Sequence, residues 1–572
     1  MIWWFDNPAR ARSERQGVAE LAERVGWLKG VRWYLTTGLA LSVDFEIEHG
    51  SEIFPLTMTY VAFFPSAPPI VIPRDGAKLS NHQYGPGGNL CLEYRADNWE
   101  GTVTGAMMIE SAYRLIAGER TLDVELPSAH HVSVGQSARG SIFRFLLTAV
   151  AEARLKEVLP GECLEIGIAE KCYAEAITVT VVEIDGVTKI GAWPAGMREI
   201  KRRADVVRLP DGKRAPAPKQ ESIVELLADM GLTSLLPKAL ATSGDMDLVL
   251  ISGNAVTHYY AFGADEKRQF GRSKTFVAPS AERLPANYAP LAARHVGLVG
   301  CGSLGSKIAI MLARAGVGKF TLIDDDLFFA TNLVRNELSG TSVGEHKVDG
   351  LRTRLMEIAN AIDVTVRRVA LGGQESADST DSVMSALEAC DLIVDATADP
   401  HCFNFCSAVA KAALQPLIWG EVLAGGIGGI IARVRPGSEP EPQRARNQIM
   451  AWCDEQGIPA PVAGSENPYA ANRDDGPPLI ADDAEVTIIA GHLSRMVIDA
   501  LLGEESEFPA AAYAIGLRKA WIFSQPFDTR PIQLSGKEPW QTEQNEASKD
   551  ETLALLRELL PSTVDGDDKP AE

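Results

Sequence analysis

Cysteine, basic charge and long apolar runs are what this sequence has little of. Eight cysteines in 572 residues, at 91, 163, 172, 301, 390, 402, 406 and 453, are too dispersed for the disulfide framework of a small secreted domain. No CxxC pair occurs, which excludes a structural zinc site of the paired-CxxC kind. A cysteine that matters here is expected to act as a nucleophile. Lys and Arg total 55 against 76 Asp and Glu, a net charge of −21, so broad electrostatic docking on nucleic acid or anionic membrane is excluded. No uninterrupted apolar run reaches the roughly 20 residues of a membrane-spanning helix. The opening MIWWFDNPARARSER has no basic stretch followed by an apolar one, and a soluble cytoplasmic protein without a secretory signal is expected. No internal repeat is found.

Against these absences stands ordinary globular composition, 46% hydrophobic and 23% charged, long enough for three or four domains. Strand-like alternation dominates up to about 120, in LALSVDFEIEH (39–49) and FPLTMTYVAFF (54–64), followed by Pro-rich FPSAPPIVIP and a helical run from Thr104 to Ala117. That is an α+β pattern. A mixed α/β stretch follows, with a helix expected over 142–156, strands at 176–184 and 247–252, and a loop at 208–222. From about 288 strand and helix alternate: HVGLVG, SKIAIMLARAG, KFTLID, then strands at 363–369 and 391–397, which predicts a doubly wound parallel sheet. An amphipathic helix spans 484–502, suited equally to a core and to a dimer interface, and a strand is expected over 512–526. The expected domains are 1–130, 131–287 and 288–535, with an acidic tail over 536–572.

Gly300, Gly302 and Gly305 form a GxGxxG between a strand and a helix, where backbone N–H groups can meet phosphate. Asp324 ends the next strand and is the acid expected on a ribose. A dinucleotide oxidoreductase would need no more. The residues that follow, Asn332 and Arg335 in NLVRN, Lys347 in GEHK and Asp399 in DATADP, supply two cations for a triphosphate and a carboxylate for Mg²⁺, which suits adenylation. In this order, GCGSLG, DDDLFFATNLVRN, GEHK and TADP resemble the motifs of the ubiquitin-activating superfamily and its ThiF-like adenylyltransferases of thiamine and molybdopterin biosynthesis. The resemblance implies a Rossmann-like adenylation domain in which Asp324 binds ribose, Asn332, Arg335 and Lys347 engage ATP phosphates, and Asp399 holds Mg²⁺. The reaction implied is AMP transfer onto the C-terminal glycine of a small protein. Two positions depart from the family pattern: Asn336 replaces its Gln, and TADP has one residue more than TDN.

Cys91 lies between Leu90 and Leu92. FPSAPPIVIP, His82, the NLCL box, Trp99 and Thr104 together resemble ubiquitin-conjugating enzymes, with an α+β fold implied over the N-terminal domain. By that resemblance Cys91 carries a modifier as a thioester. The family's HPN asparagine, which stabilises the oxyanion of aminolysis, is matched here by Asn81-His82-Gln83-Tyr84, and the residue that replaces it stays open between Asn81 and His82. Conjugating domain first and activating domain last resembles the fusion enzymes of bacterial antiphage operons. The partners implied are a small protein ending in glycine (ubiquitin-like or a signalling nucleotidyltransferase), a protein target and a second copy of the chain joined through the adenylation domain. Three routes stand open for the acyl group: through Cys453, through Ser465 as an oxyester, or directly to Cys91. An adenylyltransferase for a sulfur carrier, with the N-terminal domain only a binding module, is the alternative function.

Overall fold

The computed structural model describes residues 2–84, 87–120, 133–187, 200–236, 246–263, 269–278, 284–359, 362–457, 470–471, 479–503, 505–537, 539–540 and 549–560. The chain divides into two compact units, Met1–Ser141 and Ile142–Glu572.

In the first unit, α1 (Pro8–Arg24) starts with Pro at its first turn and an Asn7 cap that accepts from the Arg10 N–H at 3.1 Å. Strands β1 (Leu28–Leu35), β2 (Leu41–His49), β3 (Glu52–Thr59) and β4 (Ile70–Pro73) form an antiparallel sheet in chain order. Alternation decides its register. Val43, Phe45 and Ile47 stand opposite Met58, Leu56 and Phe54, and all six are buried. Helix α2 (Gly105–Arg120) adds Met108, Ile109, Ala112 and Ile116 to the same core. The buried Glu14 carboxylate binds α1 to that helix, accepting from Tyr60 Oη at 2.8 Å and from the Gly105 N–H at 2.6 Å. A Cβ on Gly105 would stand 2.0 Å from Tyr60 Oη, so only glycine admits this approach. Between sheet and helix a two-strand hairpin, β5 (Gln83–Tyr84) and β6 (Asn89–Leu90), precedes Cys91.

The second unit begins with β7 (Phe143–Leu147), α3 (Ala149–Lys156), β8 (Cys163–Cys172), β9 (Ile177–Glu183), β10 (Ile200–Arg208), α4 (Gln220–Asp229), β11 (Met246–Ser252), β12 (Ala255–Phe262), β13 (Gln269–Arg272) and β14 (Lys274–Val277). The sheet order is β13-β12-β11-β10-β8-β9-β7-β14. Only Ser273 separates β13 from β14, so consecutive residues serve both ends of the order. Ser273 N–H donates to His258 O at 3.0 Å, drawing those edges together. The helix expected from 142 begins only at Ala149: Phe143–Leu147 is a strand between β9 and β14, and Thr148 caps the helix.

The C-terminal part is a Rossmann-type sheet: β15 (His295–Val299), α5 (Ser303–Ala315), β16 (Lys319–Ile323), α6 (Lys347–Met356), β17 (Asp363–Arg367), α7 (Ala377–Glu388), β18 (Leu392–Asp395), α8 (Pro400–Ala413), β19 (Leu417–Val422), β20 (Gly428–Val434), α9 (Pro442–Glu455), α10 (Asp483–Leu502), β21 (Ala512–Gly516) and β22 (Thr529–Ile532). The order is β17-β16-β15-β18-β19-β20-β21-β22, parallel through β19 and antiparallel beyond. The connections diverge between β15 and β18, which opens a crevice beyond their C-terminal ends. Helix α10, capped reciprocally by Asp482 and Glu485, buries Val486, Ile489, Leu493 and Val497 in the core shared with α5. The strand expected over 512–526 stops at Gly516, before the left-handed Trp521 and Phe527 break extended backbone. Trp540, expected in an acidic tail, is buried, and its indole N–H donates to Glu439 O at 3.0 Å. Beyond it lies α11 (Lys549–Leu559). Among the described residues no helix is long and apolar enough to cross a membrane.

Candidate active site

The glycine loop fills the gap between β15 and α5. Gly300 has φ +87°, and a Cβ there would stand 2.9 Å from Thr397 Cγ2. A Cβ on Gly305 would fall 1.8 Å from Gly300 O, so helix and strand end meet backbone to backbone. Gly302 differs. It caps α5 with no side-chain hydrogen bond, and a Cβ added to it would meet nothing within 4 Å. The first-turn N–H groups of a helix lack intrahelical acceptors, and they stand at the positive end of the macrodipole. That arrangement accepts an anion.

Asp324 stands across this loop at the end of β16. Its carboxylate accepts from the Cys301 N–H at 2.7 Å and from the Asp326 N–H at 2.9 Å. Burial raises its pKa, opposed by the charge of Lys347. Lys347, at the start of α6, is buried and donates to Asp326 Oδ2 at 2.5 Å. Asn332 lies in a 3-10 turn (Ala330–Val334), where its side chain accepts from the Phe329 N–H at 2.8 Å. Arg335 ends that turn and donates to Ala481 O at 2.9 Å, beside the N-cap of α10. Asn336 donates to Cys301 O at 3.2 Å, tying the turn to the glycine loop. Thus the glycine loop, Asp324 and Asn336 are directly joined, Lys347 enters through Asp326, and Arg335 is held on the neighbouring wall.

Asp399 takes a local role. It caps α8, accepting from the N–H groups of His401 at 2.6 Å and Cys402 at 3.1 Å. Its preceding turn contains Thr397, the residue in contact with Gly300. A second carboxylate group for a hard cation is the trio Asp324, Asp325 and Asp326, whose ligand oxygens lie within 4.8 Å of one another. Both sets offer the oxygen ligands that Mg²⁺ prefers.

In the first unit Cys91 is half-buried and follows β6 directly. Its N–H donates to His82 O at 2.6 Å. Its thiol is 3.6 Å from Tyr84 Oη, on the opposite arm of the hairpin. Leu90 and Leu92, both buried, anchor the segment on either side.

With both sites described, comparison places one of them in a family. The model of the ThiF family matches residues 282–524. The molybdopterin-synthase adenylyltransferase of Escherichia coli is 32% identical over 176 residues, covering 30% of this chain and 67% of that protein. The chain belongs to the ThiF family. The adenylyltransferase and sulfurtransferase MOCS3 of Aedes aegypti is 33% identical over 130 residues, 22% of this chain. The chain spans 28% of the length of each of the first two curated relatives it matches. A crystal structure of Escherichia coli MccB with ATP aligns at 18% identity and a TM-score of 0.32, covering 44% of this chain and 67% of that one.

Within the ThiF region the structure adds residues that sequence reasoning missed. Asp395, at the end of β18 beside Val299, is buried and accepts from the Thr397 N–H at 3.0 Å and hydroxyl at 2.6 Å. Burial pushes its pKa up to about 6. Asp395, Asp399, Glu421 and Arg446 line one cavity with Phe403 and Trp419. DATADP held the signal for Asp395, which as the first acid of that run ends the strand. Lys307 was also unforeseen: it is buried on α5 and pairs with Asp483 at 2.7 Å and Glu337 at 3.1 Å. Cys453 is buried on α9, and burial raises its thiol pKa to about 11. Ser465 lies outside the described residues.

Proposed function

We propose that this chain uses ATP to adenylate the C-terminal glycine of a small protein and passes the acyl group through a thioester on Cys91 to a target amine. The observation that carries the first half is the open helix end at Gly302, faced by Asp324 and flanked by the elements bearing Asn332, Arg335 and Lys347. Phosphates of ATP would lie on the N–H groups after Gly302, with the ribose on Asp324 and the two cations drawing off charge as pyrophosphate leaves. Asp399 and the Asp324–Asp326 trio are the groups to hold Mg²⁺, which when bound neutralises triphosphate charge. The carboxylate attacks the α-phosphorus, and pyrophosphate departs in line.

Cys91 supports the second half by its place: anchored by two buried leucines, half-exposed, and hydrogen-bonded to a phenol. The buried, protonated thiol of Cys453 is a poor carrier at neutral pH, which favours direct transfer from the adenylate to Cys91. The chain acts as a homodimer through its ThiF region; the exposed Phe329, Leu333 and Val334 beside Arg335 offer apolar surface for it. A role in antiphage defence follows from the fusion order.

A second reading is favoured by the relatives, whose names join adenylyltransferase to sulfurtransferase and molybdopterin synthase. In it the chain activates a sulfur carrier, and the N-terminal unit only binds. One experiment separates the two. Wild type, Cys91→Ala and Cys91→Ser are incubated with MgATP in extract of the source cells, and adducts are mapped by mass spectrometry. An ATP-dependent, thiol-labile adduct joining a C-terminal glycine to Cys91, oxygen-linked in Cys91→Ser and absent in Cys91→Ala, is expected. A thiocarboxylate product with no adduct at residue 91 would overturn the thioester step.

A further inference from the structure

The hairpin that delivers Cys91 also delivers a phenol to the same point. Gln83 pairs with Leu90 and Tyr84 with Asn89, so the first residue of β5 lies alongside the residue before Cys91. The Cys91 N–H to His82 O bond extends the pairing by one step and fixes the thiol relative to the opposite arm. Tyr84 Oη consequently reaches 3.6 Å from Cys91 Sγ. Tyr84 is 40% exposed, and Cys91 is half-buried. The phenol pKa is raised, first by the hydrogen bond to Cys91 and then by burial, so it keeps its proton through neutral pH.

Two other residues interact with Cys91. His82 meets Cys91 through its backbone carbonyl, an acceptor. The Arg95 guanidinium also interacts with Cys91, but its Nε and Nη2 are held by Asp97, at 3.0 Å and 3.2 Å from the two carboxylate oxygens. Tyr84 is the group whose hydroxyl oxygen accepts from the thiol, at 3.6 Å, leaving its own O–H to serve as a donor.

We infer that Tyr84 is the oxyanion donor of the Cys91 site, taking the place that the asparagine holds in enzymes of this kind. The inference rests on the proposed carrier role of Cys91 and adds a catalytic residue to it. In the free enzyme the thiol donates to the hydroxyl oxygen. Acylation replaces the S–H by an S–C bond and puts a carbonyl oxygen two bonds from the sulfur, so the Tyr84 O–H donates to that oxygen. When an amine nitrogen attacks the thioester carbon, the C=O electron pair moves to oxygen and the Tyr84 O–H donates to the oxyanion. Collapse re-forms the carbonyl and expels the Cys91 thiolate. The ammonium proton passes to solvent, and Tyr84 ends with the proton it began with. Loading follows the same course with sulfur as nucleophile. Removing one donor from an oxyanion hole costs about 10²–10³ in rate in closed sites; in this half-open site a fall of about tenfold or more is expected.

The test uses the full chain and a probe that bypasses ATP, a short peptide whose C-terminal glycine is the thioester of 2-mercaptoethanesulfonate. Loading of Cys91 and discharge onto free lysine are timed by mass spectrometry for wild type and Tyr84→Phe. Alkylation of Cys91 by iodoacetamide, which forms no oxyanion, is timed in parallel. Loading and discharge slowed about tenfold or more in Tyr84→Phe, with alkylation changed less than twofold, is the expected result. Unchanged loading and discharge overturn the inference. So does an equal loss in all three rates, since Tyr84 would then act on the thiol or on the fold. The carrier reading fails separately, if Cys91→Ala takes up the probe as wild type does.

Discussion

Two glycines of one motif should fail in opposite ways when given a methyl group. At Gly305 the new Cβ would fall 1.8 Å from the carbonyl oxygen of Gly300, which is backbone and has no rotamer to change. An ordinary carbon–oxygen contact is about 3.3 Å, so α5 must retreat from the end of β15 by about 1.5 Å. That displacement runs into a core containing Ile308, Leu312 and the whole apolar face of α10. Overpacking of this kind costs about 1–3 kcal/mol or more. At about 2–4 °C per kcal/mol for a region of this size, the melting temperature should fall by roughly 2–12 °C. At Gly302 the added Cβ meets nothing within 4 Å and φ is −71°, which alanine adopts. The weaker capping of alanine, a few tenths of a kcal/mol, is offset by the smaller entropy of its unfolded chain. The melting temperature should move by less than about 2 °C. The methyl group nevertheless occupies the space in front of the helix N–H groups where phosphate would lie, so MgATP affinity should fall by about tenfold or more. Differential scanning calorimetry and isothermal titration with MgATP read the two effects. A stable Gly302→Ala that binds MgATP like wild type would refute the phosphate cradle. A Gly305→Ala as stable as wild type would refute the close backbone approach.

Arg335→Ala should weaken MgATP binding by about 10–100-fold, the loss of a charge-assisted hydrogen bond to phosphate; titration showing wild-type affinity would remove Arg335 from the clamp. Asp395 has a folded pKa near 6 against an ordinary carboxylate value of 3.8, so its contribution to stability is fully present below pH 4 and is lost as pH rises through 6. Asp395→Asn keeps an oxygen for the two Thr397 donors and removes that loss, so it should stabilise the protein by about 1–3 kcal/mol at pH 8 and by almost nothing at pH 4. Denaturant midpoints at the two pH values check it; a variant destabilised at pH 8 would contradict the sign. Glu14→Ala leaves Tyr60 Oη and the Gly105 N–H without their shared acceptor and should destabilise the first unit by about 2–4 kcal/mol. Proteolysis within residues 1–141 measures it, and an unchanged rate would place the stability of that unit elsewhere.

The amino-acid sequence by itself determined the strands and helices from β15 to β18, because most of their apolar runs are buried and glycines or capping residues mark their ends, but its pattern did not reveal α8, β19, β20 or α9. It also determined the glycine loop, Asp324 and the Asn332–Arg335–Lys347 series, since these sit at strand and helix ends that local pattern reveals. Three-dimensional pairing decided the rest. The strand at Phe143–Leu147 resembles helix locally and becomes a strand only when β9 and β14 supply its hydrogen bonds. The helix over 484–502 has an apolar pattern compatible with core or interface, and packing on α5 made it core. Asp399 follows the motif in sequence and its Oδ1 also caps α8, while Asp395 four residues earlier is the acid buried beside the glycine loop. Tyr84 was visible as part of the stretch matching the HPN box, but its relation to Cys91 depends on cross-strand register. Hydrogen-bond partners across a hairpin are fixed by geometry between residues several positions apart, and no local pattern of side chains encodes which hydroxyl will reach the sulfur.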